Sequence, residues 1–131
     1  MIVTGIAQLP LNLRERSLPT SLELVFLAVR ALEAYKATRL ITNLAPGWDQ
    51  ALTKASLELD IPYTVTIPRF TPEGQTTKSS TLYRELLGRA QAARRISARG
   101  REISRLDEFK WRVRQADLVL VLWDSDFESE L

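Results

Sequence analysis

The segment Leu44-Ala45-Pro46-Gly47-Trp48-Asp49-Gln50 concentrates the groups that could do chemistry in this chain. It follows a short apolar run and opens a helical one, so a tight glycine turn presents backbone N–H groups and the positive end of a helix where a strand stops. That arrangement suits an anion. Asp49, in the first helical turn, can accept hydrogen bonds from a ribose hydroxyl or a base amine, and Gln50 can both donate and accept. A plainer reading is also open, in which Pro46-Gly47 is a loop and Asp49 only favours the helix dipole.

Other chemistries are thin. The 131 residues include no His and no Cys, which excludes Ser-His-Asp catalysis, imidazole bases, thiolate nucleophiles, disulfides and nearly every zinc site. Thr76-Thr77 and Ser79-Ser80-Thr81 offer hydroxyls without a base to activate them. Asp124, Asp126, Glu128 and Glu130, spaced by two, read as an acidic solubilising tail rather than a metal site. No catalytic residue, metal ligand or resident cofactor is expected. The 18 Lys/Arg and 16 Asp/Glu give a net charge of +2. Residues 84–114 carry ten Lys/Arg, nine of them Arg, against four acids, whereas residues 117–131 carry five acids and no base. Arg suits phosphate and carboxylate clamping, so nucleic acid is one candidate partner and a solvated helix face the alternative. The absence of a long apolar run or secretory leader predicts a cytoplasmic protein without a membrane span.

The elements that must position these groups follow from periodicity. Residues 1–5 read as a strand ending at Gly5, and residues 6–19 as a loop punctuated by Pro10 and Pro19. A helix opens near Thr20, with Leu22, Val25, Phe26, Val29 and Leu32 at helical spacing and Leu24, Leu27, Ala28 and Ala31 widening its apolar arc. Strands are predicted at 39–44 and 63–67, and a second helix at 48–59 with Trp48, Ala51, Leu52, Ala55 and Leu59 on one face. A third helix is predicted at 80–93, a short strand at 95–97, and a fourth helix capped by Ser104 with Leu106, Phe109, Val113 and Ala116 as its apolar stripe. Residues 118–123 are six consecutive apolar residues, which predicts a strand covered on both faces in the middle of a parallel sheet. Strand and helix alternate throughout. The expectation is one three-layer α/β domain over residues 1–124, Rossmann-like, with a mostly parallel five-stranded sheet, followed by the acidic tail 125–131.

The block Leu44–Gln50, with Ala55, Leu57-Glu58-Leu59 and Ile61-Pro62, resembles the Leu-Ala-x-Gly-x-Asp-Gln block of the SLOG superfamily, Rossmann-like nucleotide-binding proteins that include the YpsA, DprA and Lonely-guy families. Val3-Thr4-Gly5 resembles their first strand. Ile67-Pro68 with Gln75 and Tyr83 resembles a YpsA-like stretch, and Ala116-Asp117 through Asp124 resembles their last-strand block. The likeness spans about residues 1–124. It departs where family members carry a phosphate-cradling Gly-Gly-Thr turn, since this chain reads Ser125-Asp126-Phe127, and where an Arg-Asn pair is usual, since Glu108-Phe109 stands there. Asn43 occupies a common glycine position, and the Pro-Gly-Gly-x-Gly-Thr-x-x-Glu motif of the Lonely-guy phosphoribohydrolases is missing.

The resemblance and the sheet-edge rule together imply a binding site for a nucleotide or nucleotide-derived ligand at the carboxyl ends of the strands, without strong catalysis. Its expected residues are Gly5, Ala45, Gly47, Trp48, Asp49, Gln50, Arg69 and Asp124. Gly5 is expected to admit a ligand close to the backbone, Asp49 to sit exposed at the helix start, and Arg69 to neutralise phosphate. The alternatives are an N-glycosidic-bond hydrolase using Asp49 or Asp124, and nucleic-acid binding through the Arg-rich block. A homo-oligomer is expected, with Leu24, Leu27 and Ala31 at its interface.

Overall fold

The computed structural model describes residues 1–8, 21–68, 81–96 and 104–123. Among these residues five strands and four helices alternate: β1 (Ile2–Gln8), α1 (Ser21–Ala34), β2 (Arg39–Thr42), α2 (Trp48–Glu58), β3 (Tyr63–Pro68), α3 (Thr81–Gly88), β4 (Ala92–Ile96), α4 (Arg105–Gln115) and β5 (Leu118–Trp123). The strands form one sheet in the order β4-β3-β2-β1-β5, and every neighbouring pair is parallel.

That order fixes the layers. The steps from β1 to β2, β2 to β3 and β3 to β4 all run the same way, so right-handed crossovers put α1, α2 and α3 on one face. The return from β4 to β5 spans the whole sheet in the opposite direction, which puts α4 on the other. Register follows suit. Val3, Gly5, Leu40, Tyr63, Val65 and Leu120 lie on the three-helix face, whereas Thr4, Ile41, Thr64, Thr66 and Val119 lie under α4. The core is built on the first face: Val3, Leu24, Ala28, Leu32, Leu40, Leu52, Ala55, Tyr63 and Val65 are buried together. At about 25 cal/mol per Å² of apolar surface this side supplies most of the hydrophobic stabilisation. The Tyr63 hydroxyl donates to the Leu86 carbonyl and ties α3 to it.

The Ser104 cap forms as expected, its hydroxyl accepting from the Asp107 N–H at 3.1 Å. Four other expectations are corrected. β1 does not stop at Gly5 but continues to Gln8, because β5 pairs with it through Gln8↔Trp123. α3 ends at Gly88, and Ala92–Ile96 form the strand that follows. β5 is an edge strand, not a central one: Leu120 is 6% exposed but Val121 is 48% exposed, since among the described residues α4 is the single helix on that face. Leu24 is buried in the core and so is no interface residue, while Ala31 is half-buried.

The fourth helix also turns differently from its predicted stripe. Leu106 and Val113 are 61% and 39% exposed, and Glu108 and Arg112 face the sheet instead, each 3% exposed. The sheet offers them partners, because two threonines buried on that face, Thr4 and Thr66, hydrogen-bond to Arg112 and Glu108.

Candidate functional site

Because all strands are parallel, their carboxyl ends share one edge. Connections leave β1 in one direction and enter β5 from the other, so the reversal of winding lies between these two strands, where such sheets open a crevice. The chain reaches this edge from β2 through a sequence of local devices. The Leu44 N–H donates to the Thr42 hydroxyl at 3.0 Å, and the Ala45 N–H donates to the Asn43 side-chain oxygen at 2.9 Å. These side-chain turns fold the backbone over, with Leu44 at φ 60° and Gly47 at φ 91°. Glycine tolerates the second value without strain. Gly47 is the N-cap of α2, and no side-chain hydrogen bond caps this helix.

The first turn of α2 lies over β1 and β5. Trp48, 6% exposed, donates its indole N–H to the Leu120 carbonyl at 2.9 Å. A Cβ built on Gly5 would overlap Leu52 Cδ1 and approach Asp49 Oδ1 to 3.2 Å and Trp48 Nε1 to 3.3 Å. Gly5 is therefore small to admit α2, not to admit a ligand. Gln50 is half-buried and donates from Nε2 to the Leu44 carbonyl at 3.1 Å, which braces the turn from within.

Asp49 is buried rather than exposed, at 7% of its accessible surface. Its Oδ1 lies 4.0 Å from Arg112 Nη1 and has no hydrogen-bond partner among the described residues. Burial pushes its pKa up to about 7; the Arg112 guanidinium opposes that shift and Glu108 adds to it. Arg112 enters from α4 and spans the sheet edge just past the end of β2. Its Nη1 donates to the Thr4 hydroxyl at 3.0 Å and to the Gly5 carbonyl at 2.9 Å. The Thr4 hydroxyl passes its own hydrogen to the Ile41 carbonyl at 2.7 Å. Arg112 Nε sits 2.7 Å from Glu108 Oε1, a charge contact whose N–H is not aligned as a hydrogen bond. Glu108 also accepts from the Thr66 hydroxyl at 2.7 Å and from Asn43 Nδ2 at 3.4 Å. One polar network thus connects α4, four strand positions and the turn that starts α2.

Of the expected site residues, the structure brings together Gly5, Ala45, Gly47, Trp48, Asp49 and Gln50, while Arg69 and Asp124 lie outside the described residues. Among the described ones, Gly47 is exposed and Ala45 and Gln50 are half-buried; Gly5, Trp48 and Asp49 are buried beneath the turn. The residues that sequence reasoning missed are Asn43, Glu108 and Arg112, with Thr4 and Thr66. A signal existed in the Glu-to-Arg spacing of four on α4 and in threonines at alternating positions of β3. Among the described residues no cluster of three acids gathers to hold a metal ion, and no helix is long and apolar enough to cross a membrane. No protein-family model matches the chain, and no curated protein is similar enough to it to count as a relative.

Proposed function

We propose that this domain binds a nucleotide or nucleotide-derived anion at the carboxyl edge of its sheet, against the backbone of the Ala45–Gly47 turn and the first turn of α2. The observation that carries this reading is the placement of a helix start without a side-chain cap over the β1–β5 reversal. Helix N-termini attract phosphate through unpaired N–H groups and the macrodipole.

An acidic residue at the helix start would repel an anion if it were exposed and ionised, and the burial of Asp49 resolves that conflict. With its carboxyl turned inward beside Arg112 and its pKa near 7, Asp49 carries only about half a negative charge at neutral pH and less below it, and that charge faces the guanidinium rather than a phosphate at the turn. The same burial favours binding over N-glycosidic hydrolysis. An acid enclosed by Gly5, Trp48, Leu52 and Arg112 is not placed to hand a proton to a leaving group in the crevice. Arg112 likewise leaves the Arg-rich block for the interior, which weakens the case for a continuous nucleic-acid surface.

The test is thermal unfolding in the presence of nucleoside mono-, di- and triphosphates. A nucleotide at 100 times its Kd stabilises the fold by about 2.7 kcal/mol, which is several degrees. Pro46→Asp, at an exposed position of the turn, plants a carboxylate beside the helix start and should abolish that shift while leaving the unliganded melting temperature nearly unchanged. If no nucleotide raises the melting temperature, or if the shift survives Pro46→Asp, the reading fails.

A further inference from the structure

The polar network beneath the turn holds more acid than it can neutralise. Two carboxyls, Asp49 and Glu108, face one guanidinium, and none of the three side chains is more than 10% exposed. They do not share the positive charge equally. Glu108 Oε1 lies 2.7 Å from Arg112 Nε, and Glu108 also accepts hydrogen bonds from Thr66 and Asn43. Asp49 Oδ1 stands 4.0 Å from Arg112 Nη1, which donates instead to the Thr4 hydroxyl and the Gly5 carbonyl. The guanidinium is committed to Glu108, and Asp49 is the surplus acid, its Oδ1 without a hydrogen-bond partner among the described residues.

Among the described residues nothing else supplies a countercharge. β1, β3 and β5 contain no Lys, Arg, Asp or Glu. Arg39 stands at the opposite end of β2, and Lys54 lies five residues farther along α2. The charged side chains described on α1 (Glu23, Arg30 and Glu33) and elsewhere on α4 (Asp107, Lys110 and Arg114) are exposed. A buried carboxyl in this position favours its neutral form, and burial accordingly raises the Asp49 pKa to about 7. Asp49 also belongs to the first turn of α2, where the proposed ligand meets the helix. Its carboxyl turns inward, but a charge buried under the same turn is only weakly screened from an anion above it.

We propose that anion binding at the Ala45–Gly47 turn is coupled to uptake of a solvent proton by Asp49, so that the domain holds its ligand below neutral pH and releases it as pH rises. This rests on the ligand site proposed above and adds its regulation. An anion at the helix start brings more negative charge to a cluster whose carboxyls already outnumber its guanidinium. The acid without a partner is the one that protonates in response. Linkage is reciprocal, so the proton that the ligand draws in also tightens the ligand.

Calorimetric titration of AMP, ADP and ATP into the full chain at pH 6, 7 and 8 tests this, with Asp49→Asn measured alongside. The nucleotide's own phosphate titration is common to both chains and cancels in the comparison. Relative to Asp49→Asn, wild-type affinity should fall about fivefold from pH 6 to pH 8, an average uptake of about 0.35 proton. Glu108→Gln removes the competing acid and frees Arg112 for Asp49, so it should move the fall in affinity to lower pH, which loss of a purely structural contact would not do. Binding with the same pH profile in wild type and Asp49→Asn overturns the proposal while leaving the ligand site standing. So does a Glu108→Gln profile that coincides with that of the wild type. Binding by none of the three nucleotides removes the ligand site itself, and this proposal with it.

Discussion

Replacing Asp49 by Asn should make the protein more stable at pH 8 and give no such advantage at pH 4. In the folded chain the carboxyl is buried, its Oδ1 lacks a hydrogen-bond partner among the described residues, and its pKa stands at about 7 against 3.8 for the free group. The folded state therefore holds this proton more tightly than the unfolded state. The corresponding stability is fully present below pH 3.8. It declines as pH rises, because the unfolded chain sheds the proton first, and it is lost by the time pH passes 7. Roughly three pH units at about 1.4 kcal/mol each amount to about 4 kcal/mol across the window. Asparagine fills nearly the same volume and does not titrate. The difference in unfolding free energy between variant and wild type should thus move by about 4 kcal/mol in the variant's favour between pH 4 and pH 8, a relative melting shift on the order of 10 °C. Urea unfolding of both proteins along a pH series measures it, since the other carboxylates are common to both chains and cancel. Parallel stability curves would show that Asp49 is ionised throughout, as in an ordinary ion pair with Arg112. A difference moving in the opposite direction would refute the argument outright.

Two further substitutions probe the same region. Arg112→Met removes the guanidinium and strands Glu108 as a buried charge, so urea unfolding at pH 7 should show a loss of about 3–5 kcal/mol, most of it recovered when Glu108→Met is added. Gly5→Ala drives a methyl group into Leu52 and should cost about 1–3 kcal/mol in the same measurement, with partial rescue by Leu52→Ala, because the space beneath α2 is filled by protein.

How far the sequence discloses the molecule differs between its two faces. Strict alternation of strand and helix was enough to expect a parallel sheet, and the spacing of Trp48, Ala51, Leu52 and Ala55 correctly orients α2, because apolar burial leaves a local period. β5 misled for a physical reason. Six apolar residues imply two covered faces, yet Trp48 and the α1–α2 layer cover one and α4 leaves Val121 half open. On α4 the usual rule inverts: Glu108 and Arg112 look like a solvated pair, but Arg112 donates to the Thr4 hydroxyl and the Gly5 carbonyl, 108 and 107 residues away, and Glu108 accepts from Thr66, 42 residues away. No local window contains that information. The glycine turn at the candidate site was legible from Pro46-Gly47, whereas the inward turn of Asp49 depends on Arg112 arriving from another element.

The pairing of β1 with β5 has a consequence for how the chain is made. Ile2 and Asp117, which join the starts of these strands through the Ile2 N–H to Asp117 Oδ2 contact at 2.8 Å, are 115 residues apart. A ribosome adding about 5–20 residues per second needs roughly 6–25 seconds to synthesise that interval. During this time β2 can zip along one side of β1, but the other side exposes its backbone donors and acceptors. Its sequence, Ile-Val-Thr-Gly-Ile-Ala-Gln, carries no charge to discourage a stray strand. A nascent chain of this protein thus carries an adhesive strand until its last strand emerges, and slow translation between α4 and β5 should increase aggregation without changing the stability of the finished fold.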